Sequence, residues 1–207
     1  MFLNIDKQKS NSLALVDNEG NHITYGQLAE LMDMVGIQVE PRSLVFNLCK
    51  NTSGSMIGYL GFVEHEAVPV TLSTKIDDKL LKELLKIYTP AYIWTPVEEK
   101  GRFDYEIVFE KYGYTLLKTG NETYPINENL QLCMMTSGTT GSPKLVRYKK
   151  GNLEANAKNV AIAFGWDENE RAICDLGMQY AMGLNVINTH LYVGATVLLT
   201  THNLLSP

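Results

Sequence analysis

Apolar and polar residues along this chain alternate in blocks with two different periods. "LALV" at 13–16 is a short apolar run and "NEG" at 18–20 is rich in turn formers, which predicts a strand and a turn. From Thr24 the period lengthens. Leu28, Leu31, Met32 and Val35 recur every three or four positions and form one face of a helix. Thr24 and Gln27 have the spacing of a capping box, with Ile23 and Leu28 placed as a hydrophobic staple across it. "SLVFNL" at 43–48, "VPVTL" at 68–72 and "AYIW" at 91–94 are apolar runs of strand length. Helical patterns stand between them. The one at about 53–65 contains Gly54, Gly58 and Gly61, which lower helix propensity and predict close packing on a sheet. The one at 77–88 places Leu80, Leu81, Leu84, Leu85 and Tyr88 on one side, and Pro90 ends it. Strand–helix–strand repetition predicts right-handed crossovers and a largely parallel sheet.

In the second half "YEIVFEKYGYTLLKT" at 105–119 predicts a hairpin turning at Tyr112–Gly113. The polar segment "GNETYPINEN" follows, and 119–129 is the best internal boundary. Beyond it the pattern reads strand, loop, strand, helix, strand, helix, strand. The first of those helices, near 152–164, carries Leu153, Ala157, Val160, Ala161 and Phe164 at helical spacing. The expectation is one α/β unit over 1–207, with layered, largely parallel sheets flanked by helices.

Composition narrows the classes. Hydrophobic residues make up 45% and charged residues 20%, as in a folded globular chain. Eighteen basic against 23 acidic residues leave a net charge of −5, which argues against broad binding to nucleic acid or anionic lipid. No apolar run approaches the ~20 residues of a membrane span, and the amino terminus lacks a signal-peptide core. Cys49, Cys133 and Cys174 lie far apart in apolar runs, so they read as buried reduced thiols of a cytoplasmic protein. His22, His65, His190 and His202 have no metal-ligand spacing, and no metal centre is expected within the chain.

The candidate chemistry lies in "MMTSGTTGSPKLVRY" at 134–148. "LQLCMM" before the loop and "KLVRY" after it both read as buried strands. Between them stand Thr136, Ser137, Gly138, Thr139, Thr140 and Gly141, then Ser142, Pro143 and Lys144. Glycines let the backbone approach a ligand closely, and successive N–H groups can form an anion-binding concavity. Hydroxyls and a lysine add charge-assisted donors suited to a polyphosphate. The order is not G-x-x-x-x-G-K-[ST], and Pro143 directs Ser142 toward an extended conformation, so the chain leaves the loop as a strand. The bland alternative is a Ser/Thr/Gly-rich surface hairpin.

"TSGTTGSPKLV" resembles, residue for residue, the phosphate-binding signature of the adenylate-forming superfamily of acyl-CoA synthetases and related ligases. "HITYGQLAE" at 22–30, "GYLGFVEHEAVPVTL" at 58–72 and "MGLNVINTHLYVGATVLLT" at 182–200 resemble further segments of the same family. The resemblance implies the N-terminal part of that fold. It implies an ATP-dependent ligase that joins a carboxylic acid to AMP and passes the acyl group to coenzyme A or a phosphopantetheine thiol, with Mg2+ on the phosphates. Thr136 to Gly141 and Lys144 would bind the ATP phosphates. "QYAMGL" falls where many synthetases have H-x-x-G-L, which places Tyr180 and Gly183 at the acyl pocket; the other reading of Tyr180 is a core tyrosine on a helix. The family's adenine, ribose and catalytic-lysine segments do not occur, so the chain reads as an N-terminal fragment, inactive alone, whose partner is the rest of the same enzyme. Its catalytic residues would lie beyond Pro207. A non-catalytic nucleotide-binding or partner-binding module stays open, as does an unrelated nucleotide hydrolase. Asn51, Thr52, Ser53 and Ser55 open a helix. They could hold an anion there, but a plain N-cap is the preferred reading.

Overall fold

The computed structural model describes residues 1–135 and 144–202. Its strands are β1 (Leu13–Asp17), β2 (His22–Thr24), β3 (Leu44–Cys49), β4 (Val68–Ser73), β5 (Tyr92–Pro96), β6 (Glu106–Lys111), β7 (Tyr114–Lys118), β8 (Leu130–Met135), β9 (Leu145–Lys149), β10 (Arg171–Cys174) and β11 (Thr196–Leu199). Its α-helices are α1 (Tyr25–Gly36), α2 (Ser53–Glu64), α3 (Asp78–Tyr88), α4 (Asn152–Phe164) and α5 (Ala181–Tyr192).

Two sheets form. The larger has the order β6-β7-β5-β3-β4-β8-β9, the smaller β10-β11-β1-β2. The centre of the larger sheet is parallel, from β5 through β3 and β4 to β8. Antiparallel pairs close both its flanks, β7 on β5 with β6 beyond, and β9 on β8. In the smaller sheet β1 and β10 run parallel to β11, while β2 folds back on β1. Parallel pairs need crossovers and antiparallel pairs can be joined by short turns, so the mixture follows from the hairpins at the sheet flanks. Tyr112 (φ 47) and Gly113 (φ 70) make one of those turns, the left-handed pair that a two-residue hairpin needs. The segment 119–129 is held to the body by Tyr124, whose hydroxyl donates to the Tyr88 carbonyl at 2.7 Å, and by Arg42, which donates to the Asn127 carbonyl at 2.6 Å. The strands on either side of it, β7 and β8, belong to one sheet.

α2 lies between the two sheets, with α1 beside it. Every residue from Ser53 to Val63 is buried, so it has no polar face. Trp94 of β5 sits under it, fully buried, with its indole N–H donating to the Gly54 carbonyl at 3.0 Å. A Cβ on Gly58 would collide with the Trp94 indole, and one on Gly54 with the Tyr112 carbonyl. Gly61 faces α1 instead, where a Cβ would come within 2.6 Å of the Met32 carbonyl. Two of the three glycines thus serve sheet packing and the third a helix crossing. The capping box of α1 forms as read, Gln27 N–H to Thr24 Oγ1 at 3.3 Å and Thr24 N–H to Gln27 Oε1 at 3.0 Å. α3 covers the opposite face of the larger sheet through Leu81 and Leu84, while Leu80, Leu85 and Tyr88 stay partly exposed.

Two expectations need correction. β9 is no buried strand: Val146, Arg147 and Lys149 are exposed. It lies at the sheet's edge with β8 as its one neighbour, a position that its apolar letters do not reveal. Phe164 leaves the apolar face of α4 and is 68% exposed, stacked on Trp166 at 4.8 Å. It is the last helical residue, beyond the reach of the core that holds Leu153, Ala157 and Ala161.

Candidate functional site

β8 and β9 are paired at the ends that flank the glycine-rich segment, with Met134 opposite Val146 and Met135 opposite Leu145. Thr136, Ser137, Gly138, Thr139, Thr140 and Gly141 lie outside the described residues. Lys144 is described, exposed and directly before β9. The chain leaves β8 at the carboxyl edge of the parallel strands, the edge where open α/β sheets take their ligands.

Two more segments meet at that edge. One is the turn from β3 into α2, the other the turn from β10 into α5. Asn51 joins them. Its amide donates to the carbonyls of Cys174 (3.0 Å) and Leu176 (2.9 Å), and its carbonyl accepts from the Met178 N–H (3.0 Å). Ser55 adds a hydroxyl donor to the Met178 sulfur at 3.0 Å. Asn51 is 5% exposed, so these bonds replace water rather than compete with it. They hold the segment that ends at Tyr180. Sequence reasoning weighed Asn51 only as a cap or anion ligand; its true partners are more than 120 residues away, and no local pattern could name them.

The start of α2 differs from its expectation too. Thr52 occupies the N-cap position, but its side chain makes no capping bond. The carboxylate of Asp17, at the end of β1, accepts the Ser53 N–H at 2.9 Å instead. It also accepts from the Asn21 backbone and side chain at 2.9–3.0 Å. A negative group therefore does sit at this helix N-terminus, supplied by the chain itself. Burial raises the Asp17 pKa, but the hydrogen bonds from Ser53 and Asn21 outweigh it and hold the carboxyl below its ordinary range. The stabilisation it gives is complete above the unfolded pKa of about 4 and is lost as the pH falls through the lower, folded value. Asp17→Asn is expected to cost about 1.5–3 kcal/mol at pH 7 and to flatten the loss of stability below about pH 4, read from urea midpoints across pH.

Tyr180 is the N-cap residue of α5 and is 55% exposed, so it is not a core tyrosine. Gly183 is buried, and a Cβ there would come within 2.5 Å of the Gly177 carbonyl and 2.6 Å of that of Leu176. Gly183 lets the loop held by Asn51 lie against α5. Its neighbours Ala181, Met182 and Leu184 line a cleft of about 600 Å³ between α4 and α5, which Met134 and Tyr148 line as well. The cleft thus reaches the ends of β8 and β9 that flank the glycine-rich segment in the chain. Asn51→Leu is expected to destabilise the fold by about 2–5 kcal/mol by leaving two carbonyls and an N–H unpaired. Hydrogen exchange at 174–180 should accelerate more than in the sheets. Uniform acceleration would show that Asn51 has no special hold on that loop.

Burial pushes the thiols of Cys49 and Cys174 up to about 12 and that of Cys133 up to about 11, so all three stay protonated at neutral pH. Among the described residues no helix is long and apolar enough to cross a membrane.

Known proteins give this geometry a context. Solved structures match nearly the whole chain. Apo MatB from Rhodopseudomonas palustris superposes with a TM-score of 0.76 at 17% identity, over 96% of this chain and 45% of that one. O-succinylbenzoate coenzyme A synthetase (MenE) from Bacillus subtilis, in complex with AMP, gives 0.76 at 19%, over 97% and 55%. VinN with L-aspartate gives 0.77 at 16%, over 97% and 62%. At these identities the likeness establishes the fold. The chain spans about half the length of the structures it matches. No curated protein sequence matches it. The profile of the AMP-binding enzymes covers residues 3–207, nearly every position from the amino-terminal segment to the last residue. This chain belongs to that family of adenylate-forming ligases.

Proposed function

We propose that the native protein carrying this chain activates a carboxylic acid with ATP and hands the acyl group to a thiol. What supports this most is that the paired ends of β8 and β9, which flank "TSGTTGSPK" in the chain, lie beside the cleft between α4 and α5, with Met134 of β8 in its lining. A polyphosphate on that segment and an acid in the cleft would be neighbours. The acid's carboxylate oxygen attacks the α-phosphorus, the bond to the bridging oxygen breaks, and pyrophosphate leaves with the electron pair. Proximity and alignment of the two reactants supply much of the rate. The hydroxyls of Thr136, Ser137, Thr139 and Thr140, the N–H groups of Gly138 and Gly141, and the Lys144 ammonium hold the departing phosphates and neutralise the charge that grows there. A thiol, of coenzyme A or a phosphopantetheine carrier, then displaces AMP to give the thioester. Tyr180 caps α5 directly before Ala181, which lines the cleft, without lining it itself, and Gly183 keeps the loop before α5 in place.

Magnesium accompanies ATP in this reading. Among the described residues no cluster of carboxylates, histidines or cysteines is placed to ligate it. The three protonated, unpaired thiols fit a reducing cytoplasm.

Acid-dependent ATP–pyrophosphate exchange tests the proposal. Label should enter ATP in the native protein when a suitable acid is present and not otherwise. The 207-residue chain alone, about half the length of its structural matches, is expected to give none. ATP turnover indifferent to any acid would point to a hydrolase, and ATP binding without turnover in the native protein would leave a binding module.

A further inference from the structure

The cleft between α4 and α5 has an unusual lining. Asn152, Asn156 and Asn159 recur along one face of α4, and Asn185 and Asn188 come from the facing side of α5. The rest of the described wall is apolar or aromatic, as at Met134 and Leu184, and among the described residues none in the lining carries a charge at neutral pH. Asparagine is a weak helix former, roughly 0.6 kcal/mol worse than alanine per position, so five in two helices oppose helix formation.

Packing accounts for one of them. Asn188 is buried and exchanges hydrogen bonds with the Tyr59 hydroxyl at 3.0 and 3.2 Å. Across the cleft the Asn156 NH₂ donates to Asn185 Oδ1 at 2.5 Å, and Thr189 donates to the same oxygen at 3.4 Å. Asn185 is thereby fixed with its NH₂ as the remaining donor. Asn152 and Asn159 add exposed amides along the same wall.

We infer that this cleft takes the acyl chain of the activated acid, and that the chain is short, neutral and bears an amide or hydroxyl group. The inference rests on the carboxylate-activating reading above. A volume of about 600 Å³ lies within the usual range of small-molecule pockets. A plain alkyl chain would strip water from the asparagines and return no hydrogen bond, which disfavours it against a partner that pairs with them. Among the described residues of the wall a second carboxylate finds no cation, and an ammonium finds no carboxylate. An amide or hydroxyl group meets both donors and acceptors.

Three acids of equal heavy-atom count discriminate these cases in the exchange assay on the native protein: N-acetylglycine, hexanoate and succinate. N-acetylglycine should exceed each of the others at least tenfold in kcat/KM. Asn185→Leu should narrow or invert its lead over hexanoate, and Asn159→Leu, at an exposed position that leaves folding intact, should act in the same direction. Exchange that favours hexanoate or succinate, or a ranking untouched by both variants, overturns the inference while the ligase reading stands. If no acid supports exchange, the ligase reading fails and binding decides the cleft. Side-chain NH₂ signals of the asparagines in ¹⁵N-labelled chain should shift with N-acetylglycine and not with hexanoate. No shift with N-acetylglycine, or an equal shift with both, overturns the inference.

Discussion

Lys144→Ala is expected to slow acid-dependent exchange by the native protein about 100- to 1,000-fold, the loss typical of removing one preorganised donor from a transition state. The side chain is exposed at the start of β9, so its removal opens no core cavity and the circular-dichroism spectrum should not change. On the proposed reading the ammonium has more to stabilise as pyrophosphate charge develops than in bound ATP, so kcat should fall by a larger factor than KM for ATP rises. Arginine restores charge but not the compact point donor, and only partial recovery is expected from Lys144→Arg. Unchanged exchange in the alanine variant would make Lys144 an ordinary surface residue.

Gly58→Val should destabilise the fold by about 3 kcal/mol or more. The added carbons would enter the space of Trp94, and that ring has nowhere to go. It is bonded to the Gly54 carbonyl, stacked on Tyr114 at 5.4 Å and met edge-on by Phe62 at 6.0 Å. Valine's better helix propensity returns only a few tenths of a kcal/mol. Gly58→Ala should show a smaller loss, and a Trp94→Phe background should recover part of it by removing the atoms nearest the new Cβ. Equal urea midpoints for wild type and Gly58→Val would mean that α2 can shift away from the sheet.

The sequence made local features legible and distant ones opaque. The capping box at Thr24 and the turn at Tyr112–Gly113 involve residues within four positions of each other, and each forms as its spacing implies. The alternation of strands and helices likewise followed from period alone. Sheet position did not: "KLVRY" carries as many apolar letters as a buried strand, yet edge placement leaves β9 exposed. At the site, the glycine-rich segment announced itself by order of residues. Asn51 and Asp17 did not, because their roles depend on partners brought near by the fold, Cys174 to Met178 for one and Ser53 for the other. The asparagines at 152, 156 and 159 share a face of α4 but drew no notice in the sequence, where only the apolar positions of that helix were read. Their meaning needed the second helix, which sequence spacing alone does not set opposite.

β1 has its parallel partner in β11, where Leu15 pairs with Val197. A ribosome adding about 5–20 residues per second needs roughly ten to forty seconds to make the chain between them. Throughout that interval the smaller sheet cannot close, and α2, apolar on every side, is emerging with one of its two covers absent. The nascent chain thus displays a helix that no solvent-facing arrangement can satisfy, the kind of surface that holding chaperones bind. Synonymous changes that slow translation between α2 and β11 should therefore lower soluble yield without altering a single residue, and extra chaperone should restore it.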